Sequence, residues 1–299
     1  MTMPLPQHDG PRRRLLLIAA CTALLSAAQD HIPELGPPRD VAFTAEIDGS
    51  EQRYVERLPL DFDATQTTHL LVALHGHGSD RWQYAQGTTG SIPAARAVAA
   101  RHKMVFVSPD YRAKTSWMGP KAEADVVQII GILKATYAID KVFLVGGSMG
   151  GSSVLTFGAL HPDLVSGIVS CNGTANHLEY ENFQDAIRES FGGTKKQLPL
   201  EYKKRSAEYF PEAFTMPLAI CAGGNDTVVP AGSVLRLATI AKKLNRNTLV
   251  IYRKDGEHST PTEDAALALD FVLARALGLP YPPGSHAVAT GGVFCGDTL

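Results

Sequence analysis

Short apolar runs alternate with longer amphipathic stretches along most of the chain. Six runs are rich in Val, Ile and Leu and lack polar alternation, at residues 69–74, 104–107, 142–145, 167–171, 218–222 and 248–252. Such runs are typical of strands buried on both faces of a sheet. Five stretches between or after them have helical periodicity, at residues 92–101, 122–137, 149–161, 231–244 and 262–277. This alternation predicts a parallel sheet with right-handed crossovers.

The start of the predicted sheet has a different pattern. Residues 44–48 and 52–58 alternate polar and apolar positions on either side of Gly49 and Ser50. That pattern favours an antiparallel hairpin at a sheet edge. Together with the six buried runs, it predicts an α/β fold, a mostly parallel, doubly wound sheet of about eight strands with helices on both faces.

One long segment interrupts the alternation after the sixth predicted strand. About 45 residues between Cys171 and Leu218 contain no strand pattern, and residues 181–191 and 201–209 look helical and are rich in charged and aromatic side chains. We interpret residues 173–216 as a small helical insert that caps the carboxyl edge of the sheet. An ordinary longer crossover is the alternative.

The N-terminus has the features of an export signal. Three arginines at residues 12–14 precede an apolar run at 15–25 that only Thr22 interrupts, and small residues follow up to Ala28. A basic region, a short apolar region and a small-residue end predict a signal peptide at residues 1–28, cleaved after Ala28, and a periplasmic or extracellular protein. The run is too short to span a bilayer, which takes ~20 residues. Alternatively, residues 18–21 are a bacterial lipobox, with Cys21 lipidated.

The remaining organisation and composition are those of a single enzyme-sized domain. We expect a proline-rich linker at 29–43, the main domain at 44–279 and a loose tail at 280–299. The formal net charge of −2 leaves no basic field for nucleic acid. Beyond the predicted signal, Cys171, Cys221 and Cys295 are irregularly spaced and give neither a disulfide framework nor a zinc pattern.

The sharpest chemical motif is Gly-Gly-Ser-Met-Gly at residues 146–150. It follows a buried strand and opens a helix, which is the context of a nucleophile elbow. A strained strand-to-helix turn there would raise the hydroxyl of Ser148 above the sheet. Gly146 and Gly150 would leave room where a Cβ would meet neighbouring backbone. The motif predicts that Ser148 is a nucleophile.

A serine hydroxyl needs a base, and two later loops supply the candidates. His258 follows the last predicted strand, and Asp226 follows the strand at 218–222. The chain order is therefore Ser, acid, His, which is the order found in enzymes with a nucleophile elbow. Asp226 would accept the imidazole Nδ1–H and fix its tautomer. Asp255 and Glu257 are rivals for the acid role, but both lie so close to His258 in sequence that facing Nδ1 would be awkward.

An oxyanion needs two donors, and the chain offers both. One is the backbone N–H of Met149, directly after the nucleophile. The other should come from the loop His-Gly-His-Gly at 75–78, where we choose the N–H of His77. Trp117 and Met118 follow another strand and are candidates for lining the substrate pocket, with local packing as the alternative.

These four segments resemble the α/β-hydrolase superfamily. The motifs at 75–78, 146–150, 223–230 and 256–259 are most similar to prolyl-oligopeptidase-like (S9-type) catalytic domains and to secreted feruloyl and acetylxylan esterases and polyhydroxybutyrate depolymerases. The resemblance spans roughly residues 52–277. It implies a serine hydrolase without a cofactor. Because no β-propeller precedes the domain, we expect an esterase acting on small-molecule or polymer-borne esters, with a peptidase for small peptides as the alternative.

Two further readings belong to other functional classes. Residues 75–81 faintly match the H-x-H-x-D-H pattern of metallohydrolases, but Arg81 replaces the last histidine and the acid is shifted by one position. The second alternative is a non-catalytic binding module that kept the fold of an enzyme. The presence of Ser148, Asp226 and His258 argues against this alternative.

Overall fold

The computed structural model describes Met1 and residues 34–245, 247–280 and 293–294. The predicted signal peptide, Cys21 and Cys295 lie outside these residues, apart from Met1 itself. The described residues from Glu34 onwards belong to one compact unit.

Nine strands of the described chain form one sheet in the order β1-β2-β4-β3-β5-β6-β7-β8-β9. Strands β3 to β8 pair in parallel, whereas β1, β2 and β9 make only antiparallel pairs. The α/β-hydrolase fold class predicted from the sequence is confirmed. The strands are β1 (Arg39–Thr44), β2 (Glu51–Arg57), β3 (Thr68–Leu74), β4 (Val105–Pro109), β5 (Ile139–Gly147), β6 (Gly167–Cys171), β7 (Leu218–Gly223), β8 (Thr248–Arg253) and β9 (Val293–Phe294).

Helices cover both faces of this sheet. Among the described residues, no helix is long and apolar enough to cross a bilayer. Helices α2 and α8 pack on one face, and α3, α4 and α7 pack on the other. The helices are α1 (Trp82–Gln86), α2 (Ser91–Arg101), α3 (Pro120–Thr136), α4 (Met149–Leu160), α5 (Gln184–Phe191), α6 (Pro199–Lys204), α7 (Gly232–Leu244) and α8 (Thr262–Leu277).

The packing of helices on both faces of the sheet explains the continuous apolar runs of the sequence. In β3, Leu70 and Val72 belong to the core beneath α3, α4 and α7, whereas Leu71 and Ala73 belong to the core beneath α2 and α8. All four residues are fully buried. Because successive side chains of a strand point to opposite faces, a strand covered on both faces needs apolar residues at every position.

The first strand differs from its predicted position. Residues 44–48 were expected to form it, and residues 29–43 a linker, but β1 occupies Arg39–Thr44 and pairs with β2. The turn lies where the strand was predicted, since Ala45 N–H donates to Ser50 O and Gly49 N–H to Ala45 O. Strand β1 is an edge strand with four of its six positions exposed, so burial imposes little pattern on its sequence.

The insert and the tail also depart in detail from expectation. The first insert helix begins at Gln184 rather than residue 181, because Phe183 takes a left-handed backbone conformation with φ of 54°. The second ends at Lys204, and Ala207–Tyr209 forms a separate 3₁₀ turn. In the predicted loose tail, the described pair Val293–Phe294 extends the sheet beyond β8.

Substituting Gly150 by alanine tests the packing of α4 on the sheet. A Cβ at this position would lie 2.0 Å from the carbonyl oxygen of Leu74, which belongs to the backbone of β3 and cannot move aside. We expect Gly150→Ala to lower the free energy of unfolding by about 3 kcal/mol, the upper end of the usual cost of overpacking, in chemical denaturation. Gly131→Ala in α3 is the matched control, because nothing lies within 4 Å of its Cβ position.

The control should raise stability by about 0.5–1 kcal/mol, as alanine does in a helix interior. Equal stability of the two variants would contradict the close approach of α4 to β3.

Candidate active site

Ser148 stands at the junction of β5 and α4 in a conformation that serine rarely adopts. Its φ is 59°, between the end of β5 at Gly147 and the start of α4 at Met149. The Ser148 N–H donates to Cys171 O at 2.8 Å, which ties the turn to the neighbouring strand β6. A left-handed conformation in a non-glycine residue is strained and persists where the surroundings enforce it.

Close backbone contacts enforce this turn. A Cβ at Gly146 would lie 2.3 Å from Gly150 O, so only glycine lets the strand and the helix approach each other this closely. The helix therefore starts directly against the ends of the strands. Its first N–H groups, which have no partner within the helix, face the region around Ser148.

Three side chains from three loops meet at this turn. His258 Nε2 lies 2.8 Å from Ser148 Oγ, and His258 Nδ1 lies 2.7 Å from Asp226 Oδ2. Asp226 follows β7 and His258 follows β8, so both approach from the carboxyl edge of the sheet. The distances and the chain order are those of a serine–histidine–aspartate relay.

Backbone and side-chain donors fix the carboxylate of Asp226. Its Oδ1 accepts hydrogen bonds from the N–H groups of Val228 at 3.0 Å and Val229 at 2.8 Å. Its Oδ2 accepts one from Asn172 Nδ2 at 3.3 Å and also faces His258. The carboxylate is buried, whereas the imidazole is partly exposed. These bonds hold the acid oriented towards Nδ1.

Asn172 is a site residue that the sequence analysis did not identify. It follows β6 directly, with φ of 50°. Its amide donates to Asp226 and, at 3.4 Å, to the carbonyl of Glu257, while its oxygen accepts from the hydroxyl of Thr260. Asn172 thus joins the acid loop to the loop that holds the histidine. Its place directly after a buried parallel strand is the signal that could have revealed it.

The predicted oxyanion donors lie on two segments beside Ser148. A Cβ on Gly76 would lie 3.7 Å from the Cβ of Ser148, so the 75–78 loop runs next to the serine. Gly76 N–H donates to Gln83 Oε1, and Gly78 N–H to Lys114 O. Among the described residues, the N–H groups of Met149 and His77 donate to no protein acceptor. Both are therefore available to a substrate oxygen.

Trp117 and Met118 do not line an open pocket. Both side chains are fully buried, which corrects the pocket assignment and agrees with the alternative of local packing. The Trp117 indole N–H instead donates to His77 Nδ1 at 3.1 Å. The two residues have φ values of 42° and 54°, so the chain turns sharply at this point.

The insert contacts loops on both sides of Ser148. Tyr180 Oη and Asn182 Nδ2 donate to Val228 O, in the loop that follows Asp226. The Phe183 ring lies 4.3 Å from the ring of His77, in the loop after β3. The insert therefore spans the carboxyl edge of the sheet between the acid loop and the loop of His77.

The histidines at 75 and 77 do not converge on a common point. His75 is buried, and its Nδ1 and Nε2 lie 2.8 Å from Gly76 O and 3.2 Å from Asp110 O. His77 Nδ1 is engaged by Trp117. Within the described ranges, no group of three or more His, Cys, Asp and Glu side chains could hold a metal ion.

A family model for the prolyl oligopeptidase family matches residues 111–273, more than half of the chain. The chain belongs to the prolyl oligopeptidase family. It is accordingly a serine hydrolase with the α/β-hydrolase fold, as its motifs suggested. A comparison with curated protein sequences gives no match.

Solved structures with this fold include both esterases and peptidases. FphF, a fluorophosphonate-binding serine hydrolase of Staphylococcus aureus, is 19% identical, with a TM-score of 0.60 over 79% of this chain and 98% of its own. A ferulic acid esterase of Anaeromyces mucronatus is 16% identical, with a TM-score of 0.59 over 83% and 93%. An acylaminoacyl peptidase is 16% identical, with a TM-score of 0.64 over 84% and 43%.

This chain covers very different shares of the structures that it matches, from 36% to 98% of their length. It spans only 36–43% of several larger matches, among them the acylaminoacyl peptidase and a puromycin hydrolase. At identities of 15–19%, these similarities establish the fold and leave the substrate open.

A buried histidine in the insert makes stability depend on pH. Burial lowers the pKa of His177 from 6.5 to about 3, and the nearby charges of Arg205 and Lys195 act in the same direction. The unfolded chain binds this proton near pH 6.5, so the stability that neutral His177 contributes is complete above 6.5 and is lost as the pH falls towards 3.

His177→Gln removes this titration. We expect the free energy of unfolding of the wild type to fall more steeply than that of the variant below pH 6.5, by up to roughly 1.4 kcal/mol for each pH unit. Chemical denaturation at pH 4, 5, 6 and 7 measures both slopes. Parallel slopes would show that His177 is not neutral in the folded protein.

Proposed function

We propose that this chain is an exported serine esterase that cleaves carboxylic esters through an acyl-enzyme. The observation that carries the proposal is the relay of two short hydrogen bonds from Ser148 through His258 to Asp226. A serine hydroxyl acquires nucleophilic strength when such a base stands ready to take its proton. No cofactor takes part in this chemistry.

In the proposed reaction, Ser148 Oγ attacks the ester carbonyl while His258 Nε2 takes its proton. The negative charge that develops on the carbonyl oxygen is stabilised by the N–H groups of Met149 and His77. Asp226 keeps the imidazole oriented and stabilises its positive charge. His258 then gives its proton to the departing alkoxide, which leaves an acyl-serine.

Water completes the cycle in the same site. His258 takes a proton from water as the water oxygen attacks the acyl carbon, and the same N–H groups stabilise the second oxyanion. Collapse of this intermediate returns the proton to Ser148 and releases the carboxylic acid. The substrate is thus split into one alcohol and one acid.

The structures that this chain covers almost completely support an ester rather than a peptide substrate. The chain covers 98% of FphF and 93% each of the ferulic acid esterase and a Pyrococcus furiosus esterase, but less than half of the peptidase structures. The second candidate is a peptidase that acts on small peptides. Membership of the prolyl oligopeptidase family favours it.

Ser148→Ala tests the nucleophile. We expect turnover of 4-nitrophenyl acetate to fall by at least about 10³-fold, together with complete loss of labelling by a fluorophosphonate probe, because no other group can form the acyl-enzyme. Ser153→Ala is the matched control, since its hydroxyl is also buried on α4 but takes no part in the relay. Retained turnover in Ser148→Ala would overturn the assignment.

The same assays separate the two substrate classes. Purified wild type should cleave 4-nitrophenyl acetate and methyl ferulate far faster than a short peptide anilide. A higher kcat/KM for the anilide would favour the peptidase.

Export is tested on the N-terminus of the mature protein. The full chain, expressed in a bacterium, should appear outside the cytoplasm with Gln29 as its first residue, because Ser26, Ala27 and Ala28 are the small residues that a signal peptidase recognises. Intact-mass spectrometry measures the start point. Ala28→Trp should block this cleavage, whereas Cys21→Ser should leave it unchanged. A mature chain that starts at lipidated Cys21 would contradict cleavage after Ala28.

A further inference from the structure

The side chain of His77 is held by a directional bond as well as by packing. Trp117 Nε1 donates to His77 Nδ1 at 3.1 Å. An indole nitrogen can only donate, so Nδ1 must accept and the neutral ring carries its proton on Nε2. Burial also lowers the pKa of His77, which favours this neutral form.

Trp117 is itself fixed from the insert. Its ring is fully buried, with centroids 5.5 Å from those of Tyr180 and Phe183. The next carbonyl, of Met118, accepts a hydrogen bond from the buried guanidinium of Arg205 at 2.6 Å. On the other side, the hydroxyl of Ser190 donates to Ser116 O. Hydrogen bonds from the insert therefore hold the residues on both sides of Trp117.

The ring of His77 is enclosed between two insert-supported groups. The Phe183 ring packs against it at a tilt of 45°, with the ring centroids 4.3 Å apart, while the centroid of the Trp117 ring lies 5.9 Å away and its indole N–H donates the hydrogen bond. Glycines flank His77 on both sides, so the backbone there has little steric restraint of its own. Bonds from Gly76 and Gly78 fix the neighbouring peptides, but the Cα of His77 is held through its ring.

We infer that Trp117 is a positioning residue whose hydrogen bond to His77 sets the orientation of the His77 N–H in the oxyanion site. The inference rests on the proposed function, in which this N–H stabilises the tetrahedral intermediate. An oxyanion donor acts only when it is held within a few tenths of an ångström and about 10–20° of its productive direction. Through Trp117, the insert helps to build the oxyanion site.

Trp117→Phe tests the inference, because it removes the donor and keeps an aromatic ring. Loss of a whole oxyanion donor costs ~10²–10³ in rate, so a misdirected one should cost about tenfold. We expect kcat for 4-nitrophenyl acetate to fall about tenfold with KM within twofold of wild type. The rate of fluorophosphonate labelling should fall in parallel, since it depends on the same donors.

Tyr202→Phe is the matched control. Tyr202 is a buried aromatic of the insert whose hydroxyl donates to Gly193 O at 3.1 Å, away from His77. The Tyr202→Phe variant loses one hydrogen bond, as Trp117→Phe does, but its kcat should stay within twofold of the wild-type value. If both variants lose melting temperature equally and neither loses kcat, Trp117 is only structural and the inference is wrong.

Variants at partly exposed His77 keep the inference testable if Trp117→Phe does not fold. His77→Leu removes the acceptor and should lower kcat as much as Trp117→Phe. His77→Asn, whose Oδ1 can accept from the indole, should lose less. Where Trp117→Phe does fold, adding His77→Leu to it should cause little further loss, because both changes break the same bond. Additive losses, or equal losses in His77→Leu and His77→Asn, would overturn the inference.

Labelling of the wild type separates this inference from the proposed function. A wild type that the fluorophosphonate does not label overturns both. A wild type that is labelled, alongside a Trp117→Phe variant labelled at the same rate, overturns the positioning role alone.

Discussion

The rest of the site depends on how closely the start of α4 is pressed against the strand ends. Glycine makes this possible, because a Cβ at Gly150 or Gly151 would lie 2.0 Å from Leu74 O or 2.5 Å from Cys171 O. The helix therefore begins against the carboxyl ends of β3 and β6, the two strands that flank β5. Ser148, between β5 and α4, is forced into a left-handed backbone conformation. The loops that follow β3 and β6 start beside this turn. One carries His77 and the other begins with Asn172.

Patterns of burial made the central sheet and the relay predictable. Strands covered on both faces need apolar residues at every position, so β3 to β8 could be located in the sequence. Loops that follow such strands meet at one edge of the sheet, so the convergence of Ser148, Asp226 and His258 could be predicted as well. The edge strand β1 has little burial, and its position was misjudged. The partners of Asn172 and Trp117 could not be located because they lie 40 to 88 residues away and leave no local pattern.

The insert is joined to the domain by buried charge. Arg205 is 1% exposed and donates to the carboxylates of Glu201 and Glu123 at 2.6 and 2.7 Å. Burial opposes ionisation of Glu123, but hydrogen bonds from His161 and Arg205 outweigh it and lower the carboxyl pKa to about 2. A buried charge that loses its partner is costly, so this arrangement penalises any separation of the insert from α3. These ion pairs therefore tie the insert to α3.

Left-handed backbone at non-glycine residues recurs around the relay, at Ser148, Asn172, Trp117 and Met118. Each such residue costs on the order of 1 kcal/mol or more relative to a relaxed conformation. Glycine would relieve that strain, but at Ser148, Asn172 and Trp117 it would delete the hydroxyl, the amide or the indole that the site uses. At those positions, a glycine substitution that relieves strain would therefore lower activity. Engineering for heat resistance would find its easiest gains where the enzyme can least accept them, and should be directed to residues outside the strand ends and loops that form the site.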